Sequence, residues 1–165
     1  MMLQKKICMV GAFGVGKTSL VRRYVDSIFS DSYLTTVGVK IDKKTLTVDA
    51  RTVSLILWDI AGEDKASTVR TSYLRGAAGY FLVVDGTRSQ TMDVAQAIQG
   101  RVAAEIGELP FILLLNKNDL REQWTIPDDC ISTLESAGWT IRLTSAKSGE
   151  GVELAFQELA ERIAG

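Results

Sequence analysis

The chain has 165 residues, of which 46% are hydrophobic, so it can bury one substantial core, and we expect a single domain over residues 1–165. Its 19 basic and 20 acidic residues are intermixed, and the net charge of -1 argues against a broad surface for nucleic acid or for an anionic membrane. Histidine is absent, which excludes Ser-His and Cys-His nucleophiles and leaves carboxylates, water and metal for any chemistry.

A glycine-spaced loop follows the first predicted strand. Residues 7–10 are apolar, and residues 11–18 read Gly-Ala-Phe-Gly-Val-Gly-Lys-Thr before a helical pattern begins. Glycines leave backbone N–H groups accessible, and a helix start adds the positive end of its dipole, so this pattern is typical of a phosphate-binding loop. The alternative is a turn that binds nothing, which the preceding strand and the following helix disfavour. The predicted phosphate-binding residues are Gly11, Phe13, Gly14, Val15, Gly16, Lys17, Thr18 and Ser19.

Two of these residues have specific predicted roles. Lys17 is expected to reach the outer phosphates, and the Thr18 hydroxyl is expected to bind Mg²⁺. Residues 26–39 then form a polar, turn-rich segment that could be an ordinary surface loop. Residues 39–48 and 52–59, separated by Asp-Ala-Arg, predict a hairpin and hence one antiparallel strand at the edge of the sheet.

The second strand of this hairpin ends in candidate chemistry. Asp59 follows an apolar run, and its carboxylate can hold Mg²⁺ through water, whereas Gly62 leaves a backbone N–H that can approach a terminal phosphate. The alternative role of Asp59 is to cap the next helix. The phosphate loop favours the metal-binding interpretation.

The remaining apolar runs, residues 80–84, 111–115 and 141–143, alternate with stretches whose apolar residues recur at helical spacing. This alternation predicts an α/β fold with a mostly parallel sheet. Ligands of such sheets bind beyond the carboxyl ends of the strands, so the residues that follow each run are the candidates for a site.

Residues 116–119, Asn-Lys-Asn-Asp, occupy one such strand end. A guanine edge presents two donors, and the single carboxylate of Asp119 can accept from both, whereas adenine would leave that charge unpaired. We expect Asn116 to tie this segment to the phosphate loop and the Lys117 stem to pack along the base. The alternative is a polar turn. Ser145, Ala146 and Lys147 follow the last strand and are expected to supply a backbone N–H to the guanine carbonyl.

These residues together resemble the Ras superfamily of small GTPases, most closely its Rab-like members, across essentially the whole chain. The matching segments are residues 11–18, 36–39, 58–62, 72–79, 116–119 and 145–147. The resemblance implies a P-loop NTPase fold with six strands and helices on both faces. It further implies binding of GDP and GTP with Mg²⁺, hydrolysis of GTP, and effector, exchange and activating proteins that contact two switch segments near Thr36 and Gly62. It implies that Thr36 closes over Mg²⁺ and the terminal phosphate, that Phe29 packs against guanine, and that Tyr33 covers the phosphates.

Two positions depart from the family pattern. Glu63 stands where relatives place a water-orienting glutamine, and Phe13 stands where they place a small residue beside the terminal phosphate. Two unit charges about 4 Å apart repel by about 1 kcal/mol in water and about 4 kcal/mol at a protein-like dielectric constant, so we expect Glu63 to point away or to bind a proton. The Phe13 ring could occupy the volume of an arginine finger, or could simply pack under a switch. The hydrolysis machinery would then comprise Glu63, Lys17, Gly62 and Thr36.

The sequence therefore predicts a slow GTPase switch, with a GTP-binding adaptor that hardly cycles as the alternative. Asp119 disfavours an ATPase or kinase. We expect no signal peptide, no direct membrane anchor and a cytoplasmic location, because Cys8 and Cys130 fit a reduced compartment and residues 161–165 carry neither a cysteine nor a basic tail.

Overall fold

The computed structural model describes residues 2–26, 38–64 and 68–164 of the chain. Six strands form one sheet in the spatial order β2-β3-β1-β4-β5-β6. The strands are β1 (Met2–Gly11), β2 (Val39–Val48), β3 (Arg51–Ile60), β4 (Gly79–Asp85), β5 (Phe111–Asn116) and β6 (Ile141–Leu143). The α-helices are α1 (Lys17–Asp26), α2 (Gln90–Glu105), α3 (Asp128–Ser136) and α4 (Val152–Ile163), and 3₁₀ turns cover Thr71–Leu74 and Asn118–Gln123.

The sheet is parallel except at one edge. β1 pairs parallel with β3 and β4, and β4, β5 and β6 continue the parallel order. β2 is antiparallel to β3, with Val48 opposite Arg51. Asp49 and Ala50 between them have φ angles of 49° and 64°, the conformation of a two-residue hairpin turn that matches strand twist. The structure thus confirms the predicted mixed sheet and its antiparallel edge strand.

Successive residues of a strand point to opposite faces of the sheet, and helices cover both faces of the central strands. One apolar layer lies between the sheet and helices α1 and α4, and the second lies between the sheet and helices α2 and α3. Central-strand residues of the first layer include Ile7, Met9, Phe81 and Val83, and those of the second include Cys8, Val10, Leu82 and Val84. Because these strands run parallel, their carboxyl ends lie at the same edge of the sheet, where the candidate site lies.

No helix within the described ranges has the length and hydrophobicity of a membrane span.

Phe156 of α4 anchors the first apolar layer. Its ring stacks on Tyr24 with the centroids 4.1 Å apart and contacts Phe81 with the centroids 4.7 Å apart. We predict that Phe156→Ala lowers the free energy of unfolding by about 3–5 kcal/mol, because the cavity adds to the lost burial. Urea unfolding monitored by circular dichroism measures this change.

Leu154→Ala on the same helix is the matched control. Leu154 is 78% exposed, so its truncation should change the free energy of unfolding by less than about 0.5 kcal/mol. Equal effects of the two substitutions would contradict the assignment of Phe156 to the core.

Candidate functional site

The phosphate loop and the segment after β5 are joined by one buried amide. Asn116 Nδ2 donates to the Val15 carbonyl over 3.0 Å, and Asn116 Oδ1 accepts from the Thr144 hydroxyl over 3.1 Å. Gly16 has a φ of 104°, and a Cβ there would lie 2.4 Å from Asn116 Nδ2, so only glycine allows the approach. The link predicted between Asn116 and the phosphate loop is present.

Lys17, the first residue of α1, lies across the phosphate loop. Its side chain is buried, with 6% exposed, and Nζ donates to the Ala12 carbonyl over 3.1 Å. Burial lowers the pKa of Lys17 to about 8, the Asp59 carboxylate opposes this shift, and the nearby Arg88 charge adds to it. A desolvated ammonium held inside the loop is well placed to interact strongly with a polyphosphate.

Thr18 and Asp59 supply two adjacent oxygens beside the loop. The Thr18 hydroxyl donates to Asp59 Oδ2 over 2.5 Å, and Asp59 is fully buried at the end of β3. The described residues contain no cluster of three or more metal-ligating His, Cys, Asp or Glu side chains. One hydroxyl and one carboxylate fit Mg²⁺, which binds through few protein oxygens when phosphates and waters complete its shell.

The main chain after β3 lies directly on the phosphate loop. Glu63 N donates to the Gly11 carbonyl over 3.0 Å, and Phe13 N donates to the Glu63 carbonyl over 2.8 Å. A Cβ on Gly62 would lie 2.5 Å from Phe13 Cα, so a side chain at position 62 would separate the two segments. The backbone of residues 62 and 63 is therefore part of the site.

The backbone of Glu63 is bonded to the phosphate loop, but its side chain is held by Arg101 of α2. Its Oε1 accepts from Arg101 Nη2 over 2.6 Å and from the backbone N–H of Val69 over 3.1 Å. The carboxylate is thus directed to a cation on a neighbouring helix, in keeping with the repulsion that a polyphosphate would exert on it. Nothing in the sequence pattern indicated Arg101, since the two residues are 38 positions apart.

Phe13 lies at the surface of the loop, with 42% of the residue exposed. Its carbonyl accepts from Arg88 Nη2 over 2.8 Å, so the loop is also fastened to the residues before α2. Phe13 is therefore an exposed member of the loop and does not belong to the buried core.

The segments predicted to bind guanine contact each other. Asp119 Oδ1 accepts from the Ser145 hydroxyl over 2.8 Å, which fixes the carboxylate between the turn after β5 and the loop after β6. The backbone N–H of Ser145 is bonded to the Glu150 carbonyl over 2.9 Å, so Ala146 is the better candidate for the predicted donor to a base.

A buried carboxylate that the sequence analysis did not assign lies beneath these loops. Asp85 Oδ2 pairs with Lys117 Nζ over 2.8 Å and with Arg88 Nε over 3.1 Å, and Oδ1 accepts from Thr87. Burial alone would raise the pKa of Asp85, but hydrogen bonds from Lys117, Thr87 and Arg88 outweigh it and hold the pKa below its usual value. The available signal was its place at the end of an apolar strand.

Arg23, like Arg101 and Asp85, was not indicated by the sequence. From the last turn of α1 it donates through Nε to the Ala146 carbonyl over 2.7 Å and through Nη2 to the Lys147 carbonyl. Because α1 begins at Lys17, this helix connects the phosphate loop to residues 145–147, the predicted base loop. The remaining predicted site residues, Phe29, Tyr33 and Thr36, lie outside the described residues.

A phosphate loop, an adjoining Thr18–Asp59 pair and an acidic turn after β5 thus lie at one edge of a six-stranded sheet. The family model described as Ras family matches residues 6–165. The chain belongs to the Ras family. It is also similar to the Ras-related protein Rab-1D of Dictyostelium discoideum, with 35% identity over 160 residues that cover 96% of this chain and 78% of the relative.

Membership establishes the general function. Ras-family proteins are GTP-binding switches that hydrolyse GTP, use GDP and GTP with Mg²⁺, and interact with regulators and effectors. The Rab-like resemblance of the sequence is confirmed by the Rab relative.

Arg23 provides a test of the base loop. We predict that Arg23→Met accelerates GDP dissociation roughly five- to thirtyfold, because two hydrogen bonds of about 1 kcal/mol each hold the loop. Arg23→Lys, which offers a single ammonium, should give a smaller increase. Displacement of a fluorescent GDP by excess unlabelled GDP measures the rate.

Arg162→Met is the control, since it removes an arginine that is paired with Glu158 away from the loops. GDP dissociation from Arg23→Met at the wild-type rate would show that the loop holds its position without Arg23.

Proposed function

We propose that this chain is a single small GTPase domain over residues 1–165 that binds GDP and GTP with Mg²⁺ and hydrolyses GTP slowly when unassisted. One observation carries the proposal of a slow rate. Where relatives orient water with an amide, the side chain is a carboxylate held by Arg101 over 2.6 Å. The attacking water then lacks the group that usually orients it. The barrier to GTP hydrolysis would be lowered mainly by the positive charges around the phosphates and by the position in which GTP is held.

The roles of the other site residues follow from their contacts. The Lys17 ammonium would neutralise the outer phosphates, and the Gly62 N–H would donate to the terminal phosphate. Thr18, Asp59 and Thr36 would hold Mg²⁺, which supplies positive charge to the phosphates when bound. Asp119 would accept from both guanine donors, while Ala146 would donate to the guanine carbonyl. Phe29 and Tyr33 would complete the pocket.

Regulation is proposed to act through the segments near Thr36 and after Gly62, where effector, exchange and activating proteins would bind. An activator that inserts an arginine beside the phosphate loop would meet the Phe13 ring, so we propose that hydrolysis depends on an activator with a different approach. We also propose a cytoplasmic location, supported by the free thiols of Cys8 and Cys130.

Glu63 and Phe13 also support a second candidate function, an adaptor that binds GTP and hardly cycles. Extraction of nucleotide from the purified protein, followed by single-turnover cleavage of bound GTP, separates the two. Slow conversion to GDP supports the switch, whereas GTP that persists through long incubation supports the adaptor. Protein that binds neither GDP nor GTP would contradict both.

Base selection has its own test. We predict that Asp119→Asn weakens GDP binding by roughly a hundredfold or more, because an amide donor would face the guanine amine. The same variant should gain affinity for xanthosine diphosphate, which presents a carbonyl at that position. Fluorescence titrations with both diphosphates measure the exchange of preference, with ADP as the control ligand. Unchanged GDP affinity would exclude Asp119 from base recognition.

The effect of charge at position 63 has its own test. We predict that Glu63→Gln raises the single-turnover rate of GTP cleavage at least about fivefold, because an amide can approach water without about 1 kcal/mol or more of repulsion from the phosphates. Glu158→Gln, which neutralises a carboxylate paired with Arg142 elsewhere, is the control. An unchanged or lower rate in Glu63→Gln would refute the role of charge repulsion.

A further inference from the structure

Helix α2 contacts the segment that follows β3 at two points. Arg101 pairs with Glu63, and Glu105, one turn further along α2, accepts a hydrogen bond from the Thr71 hydroxyl. The Val69 N–H adds a second bond to the Glu63 carboxylate. These contacts hold Glu63 and Thr71 against the same helix.

The ion pair is sheltered from solvent. The Glu63 side chain is 15% exposed and the Arg101 side chain 31% exposed, and Glu63 Oε1 lies 2.6 Å from Arg101 Nη2. Solvent screens such a pair less than a surface pair, and loss of one member leaves the other poorly solvated. In this structure the contact holds the carboxylate on α2.

The main chain leaves Glu63 few other positions. Its N–H and carbonyl are both bonded to the phosphate loop, so the Cα is fixed beside Phe13. A carboxylate released from Arg101 would remain within one side-chain length of that loop. Its charge would then act on a bound polyphosphate, and most strongly on a terminal phosphate that GTP has and GDP lacks.

We propose that Arg101 is a positioning residue that holds the Glu63 carboxylate on α2 and thereby protects the affinity for GTP relative to GDP. This inference rests on the proposed function. It explains how a carboxylate is accommodated at this position without loss of the triphosphate state. Arg101 acts through Glu63 and needs no contact of its own with nucleotide or metal.

The test is a double-mutant cycle on Arg101→Met and Glu63→Gln, read as the ratio of affinities for a non-hydrolysable GTP analogue and for GDP. Arg101→Met should lower this ratio about fivefold or more, since the released charge acts on the triphosphate. Glu63→Gln should not lower it. The double variant should return the ratio to that of Glu63→Gln, because the repelling charge is gone.

A merely structural role for Arg101 predicts a different result. Arg101→Met would then lower both affinities equally, or abolish GDP binding, and it would do so in the Glu63→Gln variant as well as in the wild-type chain. Either outcome would overturn the inference, as would a double variant whose ratio stays as low as that of Arg101→Met. Arg142→Met, which breaks the Arg142–Glu158 pair on the α4 side of the sheet, is the matched control. Failure of the wild-type protein to bind GDP would instead refute the proposed function.

Discussion

The Asn116 side chain is the contact on which the geometry of the site depends. It donates to Val15 in the phosphate loop and accepts from Thr144 before the base loop, while its backbone carbonyl accepts from Gly86 N over 3.1 Å. One buried residue thus joins three loops that follow different strands. Buried polar groups whose hydrogen bonds are all made keep their surroundings rigid. Loss of one partner would leave the other groups buried without a hydrogen bond. The spacing between the phosphate loop and the predicted base loop is therefore set by contacts within the protein.

Two further contacts extend this framework at its ends. Helix α1 carries Lys17 at its start and Arg23 in its last turn, so about two turns of helix connect the charge in the phosphate loop to the carbonyls of the base loop. Beneath the two loops, Asp85 forms ion pairs with Lys117 and Arg88. Arg88 also donates a hydrogen bond to the Phe13 carbonyl. A buried carboxylate would be costly alone, but its two cations and two Thr87 donors compensate for desolvation. The phosphate loop and the turn after β5 are consequently held in place by contacts within the protein.

Most of the fold and several candidate site residues could be predicted from the sequence, because the signals for them are local. Apolar runs predicted the parallel strands and the Asp-Ala-Arg turn predicted the antiparallel edge. Glycine spacing indicated the phosphate loop, and their place at strand ends made Asp59 and Asp119 candidates. Contacts between distant residues leave no such signal. Arg23 reaches a carbonyl 123 positions away, and Arg101 reaches back 38 positions, so their partners depend on how helices pack on the sheet. Asp85 had the right position, but only its burial between Lys117 and Arg88 reveals its role.

The same contacts explain how this chain can depart from its family at Glu63 and Phe13 and keep the site intact. The bonds of Glu63 to Gly11 and Phe13 use main-chain atoms, which every residue type but proline supplies, whereas Gly62 cannot change because any Cβ would meet the loop. The links that hold these loops together are therefore backbone hydrogen bonds and buried polar contacts, and none of them uses the side chain of Glu63 or Phe13. The proposed slow hydrolysis and the proposed role of Arg101 concern the side chain at position 63 instead. Because the framework of the loops and these proposals rest on different atoms, substitution at position 63 can alter cleavage or the preference for GTP while the framework persists.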